Sequence, residues 1–163
     1  MVARVKKIKE PAQAFKPLFD LVAKKGWENY SLVEMAEDLK LSRADFYKFF
    51  STKQDILTQF TRHITTKLIE AFEPSLTERD SLFDLLMLRF ETMKPYKAGL
   101  TRLYNETVGH ATPTAPLMLP DLKEASEWMV GMATSQEAPY LVHFRAEKLL
   151  YVYLMAYKVW IRD

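Results

Sequence analysis

The residues most able to do chemistry lie close together, in the run Arg43-Ala44-Asp45-Phe46-Tyr47-Lys48. On a helix, Phe46, Phe49 and Phe50 recur at the i, i+3, i+4 spacing of a buried stripe. With that stripe turned inward, Arg43, Ala44, Tyr47 and Lys48 face outward. Two cations and a phenol beside one small residue suit an element laid in a major groove. Phosphates need cations there, and base edges need close approach.

Elements able to position this face can be read on either side of it. Ser31 precedes Glu34, Ser42 precedes Asp45 and Ser51 precedes Gln54, each by three residues. A serine hydroxyl at an N-cap accepts from an orphan N–H of the first turn, and an acid or amide at the third position can reach back to the cap. The spacing therefore predicts three helix starts. Leu32, Met35, Ala36 and Leu39 form the stripe of the first helix, and only Lys40 and Leu41 separate it from the cap of the second. Two short helices joined that tightly must cross steeply, as in a helix-turn-helix.

Gly26, Ser31, Met35-Ala36, Leu41-Ser42, Ala44, Phe46-Tyr47, Phe50, Lys53 and Leu57 resemble the DNA-binding domain of TetR-family transcriptional regulators. The most specific part is Phe46-Tyr47-x-x-Phe50-x-x-Lys53, and the likeness covers about the first third of the chain. The resemblance implies an all-α homodimer, with a helix-turn-helix domain over 1–57 and a helical ligand-binding and dimerisation domain over 58–163. It implies that Tyr47 and Lys53 contact phosphates while Arg43 and Ala44 lie near base edges. Two positions depart from the family pattern. Lys40 stands where a turn glycine is usual, at a cost of about 1–2 kcal/mol if the residue must be left-handed. Asp45 stands where a small or hydroxyl residue is usual; it is either the capping partner of Ser42 or an acid repelled by phosphate.

Composition narrows the class. The 163 residues include 48% hydrophobic and 27% charged, with four Gly and no Cys. These values describe a globular chain without disulfides or thiol chemistry, and a cytoplasmic one by default. Met1–Glu10 is basic and never becomes the apolar core of a signal peptide. The longest apolar run, Leu149–Tyr157, is half of what a membrane span needs. Residues 1–60 hold 11 Lys/Arg against 8 Asp/Glu, or +3, and the remainder 12 against 13, or −1. Arg4, Lys6, Lys7 and Lys9 form a basic arm that could add salt-sensitive phosphate contacts or simply be a solvated surface.

In chain order, Pro11–Lys24 reads as a helix whose early regularity Pro17 limits. Phe15, Phe19 and Val22 should share a core with Leu32, Met35, Leu39, Phe46 and Phe50, and Trp27 and Tyr30 should pack at the start of the next helix. A longer helix runs Lys53–Phe72. Another opens at Asp80 or Ser81, with Leu82, Leu85, Leu86, Arg89, Phe90 and Met93 inward, and breaks at Pro95. Tyr96–Val108 follows. Pro113, Pro116 and Pro120 exclude a regular helix over His110–Pro120, and Asp121–Ala133 resumes it. Gln136–Pro139 is a break. The last helix, Tyr140–Arg162, is apolar on nearly every side after Leu149, except at Lys158, so a second copy should cover it. The carboxylate of Asp163 at the negative helix end reads as a chain shortened there.

His63, His110 and His143 have no metal-ligand spacing, and no phosphate loop, nucleophile elbow or zinc motif occurs, so neither enzyme chemistry nor a cofactor is expected. Phe90, Met93, Tyr96, Tyr104, Met118, Trp128, Met129, Met132, Tyr151 and Met155 form either plain core or a pocket for a small apolar ligand. Within that set Phe90, Met93, Tyr104, Trp128, Met132 and Tyr151 are the candidate ligand-binding residues. The tail Tyr140-Leu-Val-His-Phe-Arg145, Leu150-Tyr-Val-Tyr and Trp160-Ile-Arg-Asp163 looks somewhat like the close of ubiquinone-biosynthesis lipid-binding proteins. Those share the TetR fold and bind isoprenoid lipid and a partner enzyme instead of DNA, so this likeness implies an accessory protein that leaves DNA alone.

Overall fold

The structure, a computed structural model, describes residues 7–110, 112, 114–134 and 138–163. Arg4 and Lys6 of the basic arm, Pro113, and Gln136 of the second break lie outside them. Among the described residues the fold is all α, without strands. The helices are α1 Pro11–Lys25, α2 Leu32–Asp38, α3 Arg43–Phe49, α4 Lys53–Ala71, α5 Glu78–Met93, α6 Lys97–Thr107, α7 Thr114–Leu117, α8 Leu119–Ala133 and α9 Pro139–Arg162. A 3₁₀ turn over Lys94–Tyr96 joins α5 to α6. No helix of the described residues is long and apolar enough to cross a membrane.

The helix starts follow local chemistry, with one slip of register. Ser31 caps α2 through a complete capping box, its hydroxyl accepting from Glu34 N–H while the Glu34 carboxylate accepts from Ser31 N–H at 2.9 Å. Ser42 caps α3 by accepting from Asp45 N–H at 3.1 Å. The third expected cap, Ser51, is displaced by one residue. Thr52 accepts from Asp55 N–H at 3.0 Å, and the Asp55 carboxylate takes Ser51 N–H at 3.1 Å. A carboxylate in the first turn favours the positive helix end where the Gln54 amide would not, so the Thr52/Asp55 pair prevails over Ser51/Gln54.

Other boundaries shift for similar reasons. Thr77 caps α5, so that helix starts at Glu78 and not at Asp80 or Ser81. α1 runs through Pro17, whose ring leaves only the carbonyl of exposed Gln13 without its helical donor. The proline-rich stretch still supports the short α7, and α8 begins before Asp121 because Pro120 sits in its first turn, where no N–H is needed. α9 is one continuous helix.

The expected helix-turn-helix core is present. Phe15, Phe19, Val22, Met35, Leu39, Phe46 and Phe50 are buried, Leu32 is partly so, and Trp27 and Tyr30 are each 2% exposed. This core continues without a gap into the rest of the chain. Phe60 of α4 packs against Phe15 and Phe19 of α1, with ring centroids 5.5 and 4.5 Å apart, and against Tyr96 at 5.0 Å. The boundary at 57/58 thus falls inside α4, a helix that serves both regions. α1 and α6 approach so closely at Gly99 that a Cβ there would run into the Phe19 carbonyl.

Candidate functional site

Lys40 makes the turn between α2 and α3 and carries φ 57°, the left-handed conformation that glycine adopts freely. Its N–H donates to the Glu37 carbonyl, and Leu41 N–H reaches the Ala36 carbonyl, both at 3.0 Å. This turn swings α3 so that Phe46 points to the core while Arg43, Ala44, Asp45, Tyr47 and Lys48 stay exposed; Tyr47 is 67% exposed.

Each member of this face has a definite neighbour or none. Arg43 pairs with Glu37 of α2 at 3.2 Å, both side chains well exposed. Lys48 stands 3.9 Å from the Asp45 carboxylate. The role of Asp45 at the cap is carried by its backbone N–H, and its side chain looks to Lys48. Lys53 departs most from a phosphate-contacting geometry. Its ammonium donates to the Trp27 carbonyl, lies 3.4 Å from the Glu28 carbonyl, and sits 4.8 Å from the centroid of the Trp27 ring. Burial pulls its pKa below the ordinary lysine value, against the carboxylates of Glu28 and Glu106.

Lys53 grips the carbonyls of the α1–α2 loop, and Glu106 of α6 grips its N–H groups. Glu106 Oε2 accepts from Trp27 N–H at 2.7 Å and from Glu28 N–H at 3.0 Å, while Oε1 takes Arg102 Nε at 2.5 Å. Burial pushes the Glu106 carboxyl up, but these donors outweigh it and leave its pKa below the ordinary value. Gly26, with φ 87°, is required here: a Cβ would collide with the Glu106 carboxylate. The Glu28 carboxylate accepts from the Thr114 and Thr112 hydroxyls at 3.1 and 3.3 Å. Gln54 of α4 donates to the Leu117 carbonyl at 3.0 Å, and Thr58 to Asp121 at 2.8 Å.

Behind this joint lies a cavity of about 410 Å³, within the roughly 300–1,000 Å³ of small-molecule sites. Its wall is chiefly apolar and comes from α4 (Leu57, Phe60), α6 (Leu100, Leu103), α8 (Leu122) and α9 (Leu154). Of the residues read from the sequence as ligand-binding, the cavity gathers Met93 and Tyr104, together with Met118 and Met155 from the wider set. Phe90 lies behind the wall, stacked on Tyr153 at 5.6 Å and against Trp160 at 5.4 Å. Trp128 and Met132 line a shallow surface cleft of α8, and Tyr151 points outward from α9 at 67% exposure. Helical spacing alone cannot say which face of α8 or α9 meets the cavity.

Sequence reasoning missed the polar members of the wall. Arg89, 1% exposed, lines the cavity with Thr61, Thr107 and Tyr157. Burial raises the Tyr157 hydroxyl well above the ordinary tyrosine pKa, and the nearby Arg89 opposes that shift. The available signal was Arg89's place on an otherwise apolar stripe of α5. Comparison with protein-family models and with curated proteins returns no match.

Proposed function

We propose that the protein is a DNA-binding transcriptional regulator of the TetR type, acting in the cytoplasm under the control of a small apolar ligand. The observation that carries this reading is the face of α3, which holds Arg43, Ala44, Tyr47 and Lys48 exposed on a helix swung out by a left-handed turn. Arg43 would release Glu37 to read bases, at little cost because exposed ion pairs contribute about 0–1 kcal/mol. Tyr47 would hold a phosphate. Lys53 would have to leave the Trp27 and Glu28 carbonyls to do the same. Coupling would run along α4 and α6, which line the cavity and also hold the α1–α2 loop through Lys53 and Glu106.

A second copy of the chain would complete the regulator. The outer side of α9 leaves Phe144, Tyr151, Val152 and Val159 about half or more exposed, and Trp128 of the adjoining α8 lies 51% exposed. These residues, rather than Leu154 and Tyr157 which turn to the cavity, are the face for a two-fold partner. Val152→Glu with Val159→Glu should leave the fold intact and halve the mass seen by light scattering from twice 19.1 kDa to one chain. A wild-type protein that is monomeric at micromolar concentration would sink the dimer.

Two observations favour a lipid-binding accessory protein of the same fold: Lys53 is turned inward, and Asp45 stands exposed on the reading face. Genomic-fragment selection, followed by gel retardation at low salt, separates the two readings. The regulator should retain a roughly palindromic fragment, Arg43→Ala should relax base preference by about 1–3 kcal/mol, and Lys48→Ala should weaken all sequences alike. If neither wild type nor Asp45→Ala retards any fragment while lipid co-purifies by mass spectrometry, the accessory reading replaces it.

A further inference from the structure

The cavity holds a cation with no counter-charge among the described residues. Arg89 is 1% exposed, yet none of the described carboxylates pairs with it. Among the described residues its one hydrogen bond runs from Nη1 to the Thr65 hydroxyl at 3.3 Å and Nε is buried without an acceptor, while the Tyr153 ring lies 5.3 Å from its guanidinium carbon. Arginine cannot shed its proton to relieve this, so the charge persists in a wall that is otherwise mostly apolar. A buried, uncompensated guanidinium is costly, and it becomes favourable when a planar anion takes its free N–H groups.

We propose that the cavity takes an amphiphile with a carboxylate head, its acyl chain against Leu57, Leu100, Leu103 and Leu122 and its carboxylate on Arg89. This rests on the cavity being the ligand site of the reading above. The wall matches the ligand end to end: apolar groups from α4, α6 and α8 for the chain, one buried fork of donors for the head. Lys158 also borders the cavity but is exposed, so water already satisfies its charge.

The test is isothermal titration of the intact protein with decanoate, decanol and decylamine, none of which requires DNA. Decanoate should bind roughly tenfold or more tightly than decanol, and decylamine most weakly, the factor expected for hydrogen bonds to a charged partner. Arg89→Met should erase the preference and keep decanol binding, whereas Lys158→Met should leave it unchanged. Should Arg89→Met not fold, Arg89→Gln and the wild-type series carry the same comparison. Equal binding of decanoate and decanol by wild type overturns the carboxylate assignment while leaving the cavity a ligand site. Loss of preference in Lys158→Met alone also overturns it, placing the head at the mouth. Binding of none of the three overturns the ligand reading and this inference together, and the gel-retardation result stands or falls separately.

Discussion

Replacing Glu106 by Gln isolates the charge that ties α6 to the α1–α2 loop. The glutamine carbonyl can still accept from Trp27 and Glu28 N–H, which share one oxygen in the wild type. Each bond then falls from a charge-assisted to a neutral one, a loss of about 1 kcal/mol apiece. On the other oxygen an NH₂ would face the Arg102 guanidinium, donor against donor, where the partly exposed ion pair now contributes about 0–1 kcal/mol. The sum is about 2–3 kcal/mol, read as a fall in the urea midpoint at unchanged slope. The pH dependence supplies an independent signature. Because the folded pKa of Glu106 lies below its unfolded value, its stabilisation is fully present above the ordinary carboxylate range and disappears as pH falls through the folded value. Wild type should therefore lose more stability than Glu106→Gln on acidification below about pH 4.3. A variant within about 0.5 kcal/mol of wild type at pH 7, with a parallel acid profile, would refute the clasp.

Three further substitutions test the frame around the site. Lys40→Gly should raise stability by about 1 kcal/mol in urea unfolding, because the left-handed backbone then carries no Cβ clash, partly offset by the entropy glycine loses; a destabilised variant would contradict the turn. Ser31→Ala and Thr52→Ala should each cost about 0.5–2 kcal/mol, and Ser51→Ala, which removes no cap, should cost less than either by the same measurement. Gly99→Ala should push α6 off α1, lowering the thermal midpoint by several degrees, since the obstacle is the Phe19 backbone and cannot rotate away.

Much of the helical frame was legible in the chain because its causes are local. A cap and its third residue lie within one turn, so Ser31/Glu34 and Ser42/Asp45 announce their helices, and the 3.6-residue stripe marks Met35, Ala36, Phe46 and Phe50 as core. The left-handed conformation at Lys40 was raised only by the family resemblance, which has a turn glycine at that position, and the backbone adopts it at φ 57°. Even the misplaced cap at Ser51 is a local competition, lost to the carboxylate of Asp55. What the tertiary structure decided has no local cause. Glu106 meets Trp27 across 79 residues, and nothing in its own neighbourhood marks it as the acceptor of that loop's N–H groups. Lys53 carries the same side chain whether it faces solvent or the Trp27 carbonyl, and only the fold of the loop turns it inward. Tyr104 and Tyr151 were equivalent by composition, yet one lines the cavity and the other faces out, because the rotation of α9 about its axis is set by what packs against it. Arg89 appeared in sequence as a cation on an apolar stripe. Packing of α4, α5 and α9 around it sealed that charge from water and left it without a carboxylate among the described residues, a state that sequence spacing does not encode.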